Sequence, residues 1–421
     1  MRAHPAAVVV GGQLSGLGVC RSLAKGNVPT YVLDHRRLDA AMWSRYAHPV
    51  RTNLLHGPNL IDALRSLAKQ LDSRPVLIIT DELALLTISE FRTELDGMFR
   101  LRLPAHETVL MLHDKARFHE FAMAHGLPVP RSEVLQHPAD IERIQALRLP
   151  VIIKPADKQF FHLNGAPRLI IANDYQAANS NSRKLLTAVG EIIVQECIDG
   201  PDCNIYFSLF YRRGDVTTQF LGQKLASNPP RSGSTALCAQ VDNREIGERL
   251  ERTTDEFLAL VGYQGFGGIE YKLDPVSGRF LIIEPTVGRT DWQEEIATFC
   301  GVNIPLAGYC EECGLPLPPH ERSAANAVVW QGSYVDRMRV GSRAIPLKAS
   351  VIDGYWRWHD PLPALVHYPF VMASIITNLG RRYSARAPDR ISARMLRPVK
   401  SKTGTGMIPV GAQPRELISD V

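Results

Sequence analysis

Gly268-Ile269-Glu270-Tyr271 and Leu281-Ile282-Ile283-Glu284 flank the turn segment Asp274-Pro275-Val276-Ser277-Gly278, and their reading decides the fold. Apolar, β-prone runs on either side of a Pro/Gly cluster predict a hairpin with arms Gly267 to Leu273 and Arg279 to Glu284. Each arm carries one carboxylate among apolar neighbours, Glu270 and Glu284. Adjacent antiparallel strands put such a pair on one face. Two buried like charges repel, so they call for a cation between them. Magnesium prefers carboxylates used together with phosphate oxygens. The plainer alternative is an exposed acid pair on a sheet face.

The neighbouring sequence continues in the same texture. Asn204 to Tyr211 and Val216 to Lys224 predict a second hairpin, turning at Arg213-Gly214-Asp215, and a helix follows from about Arg244 to Val261. Upstream, Pro150 to Lys154, Arg168 to Ala172 and Glu191 to Glu196 read as strands. A helical run opens at His113-Asp114-Lys115 and continues to His125. This middle segment is therefore expected to be α+β with antiparallel sheets. Lys154 terminates Val151-Ile152-Ile153 and precedes Pro155. An ammonium at the end of a buried strand is costly unless it meets an anion, although a lone lysine there more often snorkels to the surface. Lys154 together with Lys115, an acidic strand end and the two acidic strands makes a coherent nucleotide site.

The first hundred residues alternate strand and helix: Ala6 to Val10, a helix after Gly11-Gly12-Gln13-Leu14-Ser15-Gly16-Leu17-Gly18, Thr30 to Asp34, a helix over Leu60 to Leu71, and Pro75 to Thr80. That order predicts a parallel sheet covered by helices. The glycine loop lies between strand and helix, where a phosphate cradle would lie, and Asp34 stands where a ribose-binding acid would. The loop matches the dinucleotide spacing poorly. A tight strand-to-helix turn or a substrate-side role is the preferred reading over a nicotinamide cofactor.

Composition sets the outer limits. Of 421 residues, 45% are hydrophobic and 22% charged, which excludes wholesale disorder. Lys and Arg number 48 against 43 Asp and Glu, a net +5 that is too weak to imply nucleic acid. Seven scattered cysteines predict a reducing compartment and no disulfide scaffold. The CxxC at Cys310-Glu311-Glu312-Cys313 lacks a second pair and reads as structural or incidental. Neither a secretory signal nor a run long enough to span a membrane is read, so a cytoplasmic location without membrane partners is expected. No Walker A, GxSxG or HExxH motif occurs.

Lys115, Lys154, Gln195-Glu196-Cys197-Ile198-Asp199-Gly200-Pro201-Asp202, Glu270 and Glu284 follow the order of the ATP-grasp superfamily. The chain resembles its carboxylate–amine ligases, in particular the D-aspartate ligase-like group, over about residues 6–315. Gly11 to Gly18 resembles that group's pre-ATP-grasp domain, and Gly222 to Ser234 its substrate-side loop. The resemblance implies an ATP-grasp fold with an N-terminal parallel-sheet domain (1–112) and an ATP-grasp domain (113–315). Within the latter, the lid spans about 113–200 and the metal lobe about 201–315. A small C-terminal region (316–396) and a disordered tail (397–421) complete the expected layout.

The resemblance also implies roles. Lys115 and Lys154 would contact ATP phosphates, and Glu196, Cys197 and Ile198 would form the hinge against adenine. Asp202 would hold the ribose. Lys224 would reach the γ-phosphate or the acyl phosphate, Glu270 and Glu284 would hold Mg²⁺, and Arg289 would stabilise the acyl phosphate. Lys224, Arg231 and Arg289 converging on one pocket is more positive charge than ATP needs beside Mg²⁺. That surplus points to an anionic substrate, with Arg231 and Ser234 on the substrate side. Two departures stand out. Glu284-Pro285-Thr286 replaces the usual Glu-x-Asn, which puts a second Mg²⁺ in question. The lid loop Asp157 to Gly165 has one glycine and two phenylalanines. The implied activity is an ADP-forming ligase that joins a small-molecule carboxylate to an amine, with an amino acid as one substrate. A small-molecule kinase, a nucleotide-binding protein with a degenerate site and, last, a nicotinamide-dependent oxidoreductase stand as alternatives. A homodimer is left open.

Overall fold

The computed structural model describes residues 4–156, 169–231, 233–320 and 327–384, with the backbone only for 374–384. The lid loop Asp157 to Gly165 and the tail from 397 lie outside the described residues. Chain contacts divide the protein into two units, Met1–Pro369 and Phe370–Val421. Of the second, the end of the helix Leu362–Ser384 is described.

In the first unit, the N-terminal strands β1 (Ala7–Val10), β2 (Thr30–Asp34), β3 (His48–Arg51) and β4 (Val76–Ile79) form a parallel sheet in the order β3-β2-β1-β4. Alternation along β1 shows why it is central. Val8 and Val10 enter one core and Ala7 and Val9 another, so the strand is apolar on both faces. The glycine loop is a tight turn. Gly11 has φ +107°, and a Cβ on Gly16 would sit 2.0 Å from the Gly11 carbonyl oxygen. Asp34 Oδ2 accepts the Gly12 amide at 2.5 Å and so locks the loop to β2. Burial first, then Asp34, pushes the nearby Asp39 carboxyl up to about 7. Carboxylates around the loop repel a phosphate, which agrees with the turn reading.

A second sheet, β5 (Ser132–Leu135), β6 (Val151–Pro155), β7 (Ile170–Ala172) and β8 (Ile192–Glu196), is antiparallel in the order β5-β8-β6-β7. The helix Tyr175–Val189 covers it, packing Leu185 and Leu186 on Val151, Ile153, Ile192 and Val194. The helical run expected from His113 to His125 is the helix Lys115–Ala124, and a separate helix, His106–His113, precedes it. Asp114 divides them, because its side chain caps Lys115–Ala124 by accepting the Arg117 amide at 2.8 Å.

The third sheet has seven strands in the order β13-β12-β9-β10-β11-β14-β15. They are β9 (Ile205–Arg213), β10 (Val216–Asn228), β11 (Ser234–Gln240), β12 (Gly265–Leu273), β13 (Phe280–Val287), β14 (Val328–Gln331) and β15 (Ser350–Asp353). Both expected hairpins are present, as β9–β10 and β12–β13. β14 adds antiparallel to β11, so residues from the C-terminal region extend this sheet. Asp360 is bound at long range: it accepts from Arg21 Nε at 3.0 Å and Ser44 Oγ at 2.9 Å. No helix among the described residues is long and apolar enough to cross a membrane.

Candidate active site

A cavity of about 570 Å³ opens between the second sheet and the seven-stranded sheet, within the range of small-molecule sites. Each sheet delivers functional groups by strand register. Glu270 and Glu284 are direct partners across β12–β13, so their side chains leave the sheet on the same face, and both line the cavity. A register irregularity follows Glu270. Lys224 reaches the same wall from β10 and is 4% exposed. Its Nζ lies 3.0 Å from Glu270 Oε2. Burial pulls the Lys224 ammonium down, but Glu270, helped by Asp291 and Asp202, more than offsets this and the net shift is upward.

On the opposite wall, Lys154 leaves the end of β6 and Lys115 the start of its helix. Both face the main cavity and also a small void of about 20 Å³ behind it, which Glu284 shares. That void is large enough for one water. Lys154 Nζ donates to Gln195 Oε1 at 3.1 Å, and Gln195 Nε2 donates to Ser132 Oγ at 3.0 Å. Gln195 is therefore a strut for Lys154 that sequence reasoning passed over. Its signal was a polar residue inside an otherwise apolar strand.

Glu196, Cys197 and Ile198 line the cavity where β8 ends. The Glu196 amide is taken by Arg131 O and the Cys197 amide by Pro150 O, each at 2.9 Å. Glu196 also accepts the Arg148 amide at 2.9 Å on its side chain. The Ile198 amide has no hydrogen-bond partner among the described residues. Burial raises the Cys197 thiol, and Lys272, Asp199 and Arg231 also act on it. Arg231 therefore stands near the Cys197 side of the cavity.

Arg231 and Ser234 line the cavity at the turn between β10 and β11, and Arg289 lines it just after β13. Arg289 Nη1 lies 3.3 Å from Thr290 O and 3.9 Å from Asp291 Oδ1. Asp202 alone of the expected site residues is outside the cavity lining. Its carboxylate accepts the amides of Ser227 at 2.8 Å and Arg231 at 3.0 Å.

Lys224, Arg231 and Arg289 line one cavity, as expected, but acids match the cations of its lining. Lys115, Lys154, Lys224, Arg231, Lys272 and Arg289 line the cavity with an equal number of acids: Glu82, Glu196, Asp199, Glu270, Glu284 and Asp291. Sequence reading missed Glu82, Asp291 and Lys272, which sit outside any motif, and gave no role to Asp199, which lies inside the quoted Gln195–Asp202 stretch.

The oxygen donors suit a hard cation shared with phosphate. Two carboxylates face one cavity, and a lysine already neutralises one of them. Thr286, opposite Gly268 on β12, lines the cavity on the Glu284 strand.

No protein-family model matches the chain, and no curated protein matches it in sequence. Solved structures do. An N5-carboxyaminoimidazole ribonucleotide synthetase in its ADP complex superposes with a TM-score of 0.61 at 14% identity, covering 78% of this chain and 82% of its own. The biotin carboxylase–β-γ-ATP complex from Campylobacter jejuni gives 0.59 at 15%, with 75% and 72% covered. Phosphoribosylamine–glycine ligase from Thermotoga maritima gives 0.57 at 17%, with 75% and 78% covered.

Proposed function

We propose that this chain, which has the ATP-grasp fold, is an ADP-forming ligase that joins a small-molecule carboxylate to an amine, with an amino acid as one substrate. The observation that carries this reading is the pairing of Glu270 with Glu284 across β12–β13, facing Lys115, Lys154 and Lys224 over one cavity. Paired carboxylates beside convergent lysines suit a polyphosphate with a divalent cation.

In this reading the Ile198 amide and the Glu196 carbonyl meet the edge of adenine. Lys115 and Lys154 hold phosphate oxygens, with Gln195 fixing Lys154. Glu270 and Glu284 would hold Mg²⁺, whose contribution is to neutralise charge on the phosphates. Lys224, buried and charged, stabilises the transferring phosphoryl group. A carboxylate is a poor electrophile. Its oxygen attacks the γ-phosphorus, the bond from that phosphorus to the β-phosphate's bridging oxygen breaks, and ADP leaves. The amine nitrogen then attacks the acyl phosphate carbon, loses a proton and releases phosphate. Arg289 sits at the cavity wall where its guanidinium would meet that charge. The protein's work is alignment and charge neutralisation. Thr286 offers a hydroxyl where the usual asparagine would offer a carbonyl, which favours one firmly held Mg²⁺.

ADP release measured with Mg²⁺–ATP across panels of carboxylates and amines tests this. Release that requires one member of each panel is expected. Release that saturates without any amine would make the chain a kinase.

A further inference from the structure

Asp202 occupies the position that the family pattern gives to a ribose contact, but its hydrogen bonds point elsewhere. Oδ2 accepts the Ser227 amide at 2.8 Å and Oδ1 the Arg231 amide at 3.0 Å. Those amides lie at the end of β10 and in the turn leading to β11. Two further described residues of the turn are tied down too. Gly233 donates its amide to Pro229 O at 2.8 Å, and Asn228 Nδ2 donates to Asp336 Oδ1 at 2.7 Å. Ser333 Oγ holds the other oxygen of Asp336 at 2.7 Å. Arg231 needs such support, because at φ 68° a residue with a Cβ is in the left-handed region. The cavity faces Arg231, Gly233 and Ser234 and does not reach Asp202.

We propose that Asp202 is a positioning residue: its carboxylate clamps the β10–β11 turn and holds Arg231 on the Cys197 side of the cavity, in place of the ribose contact expected of it. A carboxylate accepting two amides is a strong local staple, because each bond is charge-assisted. The clamp joins the short turn after the hinge, Asp202–Asn204, to the wall beside it. The nucleotide arm below rests on the ATP reading, whereas the exchange arm does not.

Two measurements on the full chain test the proposal. Hydrogen exchange of the wild type, Asp202→Asn and Asp202→Ala without ligand reads the Ser227 and Arg231 amides directly. Protection there should fall by about 10- to 100-fold, the worth of one charge-assisted bond, while the β12 amides stay protected. Unchanged protection overturns the clamp. Calorimetry with Mg²⁺–ADP and Mg²⁺–2′,3′-dideoxy-ADP then reads whether Asp202 senses the ribose. The affinity ratio of the two nucleotides should be the same in wild type and Asp202→Asn, within about twofold, because residues that do not touch do not couple. A ratio that collapses to unity in the variant makes Asp202 a ribose ligand and overturns the proposal. If wild type binds neither nucleotide, the ATP reading fails and the exchange result alone decides the clamp.

Discussion

Glu270 and Glu284 stand directly opposite each other on β12 and β13, and Lys224 Nζ lies 3.0 Å from Glu270 Oε2. Both carboxylates open onto the same cavity, so the hairpin places two negative charges at one wall, and β10 adds one positive charge beside them. Glu284→Gln keeps the shape and removes one charge of the pair. Turnover of Mg²⁺–ATP should fall at least about 100-fold while the thermal midpoint stays near wild type. Steady-state ADP release with a melting curve checks this, and wild-type turnover would remove Glu284 from the site.

Lys224→Met tests the buried ammonium. Removing it leaves Glu270 facing an apolar neighbour, but the Glu270 side chain is 34% exposed, so water recovers part of the loss. The cost should be about 1–3 kcal/mol, below that of breaking a fully buried pair. The folded Lys224 pKa is shifted upward, so this stabilisation is fully present below the ordinary lysine value of 10.5 and fades as pH rises through the folded value. Urea melts at pH 7, 9 and 11 should show the wild-type advantage constant over the first two and smaller at the third.

Glu294 is 1% exposed, and neither carboxylate oxygen has a hydrogen-bond partner among the described residues. Burial, then Glu295, holds its pKa well above the ordinary 4.5, so the folded protein keeps it neutral. Below 4.5 both folded and unfolded states are protonated. Above it the unfolded state ionises and the folded state does not, so stability falls with rising pH by about 1.4 kcal/mol per unit until the folded pKa is reached. Glu294→Gln abolishes this slope. Its stability relative to wild type should rise between pH 4.5 and 7, as read by urea denaturation. A difference that does not change with pH would contradict it.

Gln195→Leu removes one acceptor of Lys154 and its link to Ser132. The KM for ATP should rise about tenfold with a smaller change in kcat, as expected for a residue that places a phosphate-binding group. An unchanged KM would show that Lys154 does not depend on this strut.

Much of the fold could be read from the chain because the signals are local. The β12–β13 hairpin is marked by Asp274-Pro275 and Gly278 between apolar arms, and its register alone brings Glu270 to Glu284. Lys154 was visible as a charge ending an apolar strand. What escaped depends on distant partners. Nothing local in Asp291-Trp292-Gln293-Glu294-Glu295 marks Glu295 as buried, yet it lies against Arg357 at 2.8 Å and Arg21 at 3.8 Å. The pairing of β14 with β11 has no local signature either. Asp114 was read as part of the opening of a helical run, and the structure makes it the cap just before Lys115, a role set by its own extended backbone and not by the helical period.

Arg289→Lys keeps the charge and loses the planar fork. Catalysis should drop by about 100-fold with nucleotide affinity near wild type, since the guanidinium is assigned to the acyl phosphate and not to ATP. Mg²⁺–ADP calorimetry beside steady-state rates separates the two effects, and full activity in the lysine variant would remove Arg289 from the chemistry.

In the proposed reaction, ATP activates a carboxylate as an acyl phosphate. Hydroxylamine captures such a species as a hydroxamate, so the most direct measurement incubates the protein with Mg²⁺–ATP, a carboxylate panel and hydroxylamine, and quantifies hydroxamate against ADP. A hydroxamate is expected from at least one carboxylate, formed one-for-one with ADP and lost in Glu284→Gln. AMP and pyrophosphate as products, or ADP without hydroxamate for every carboxylate that stimulates turnover, would contradict it.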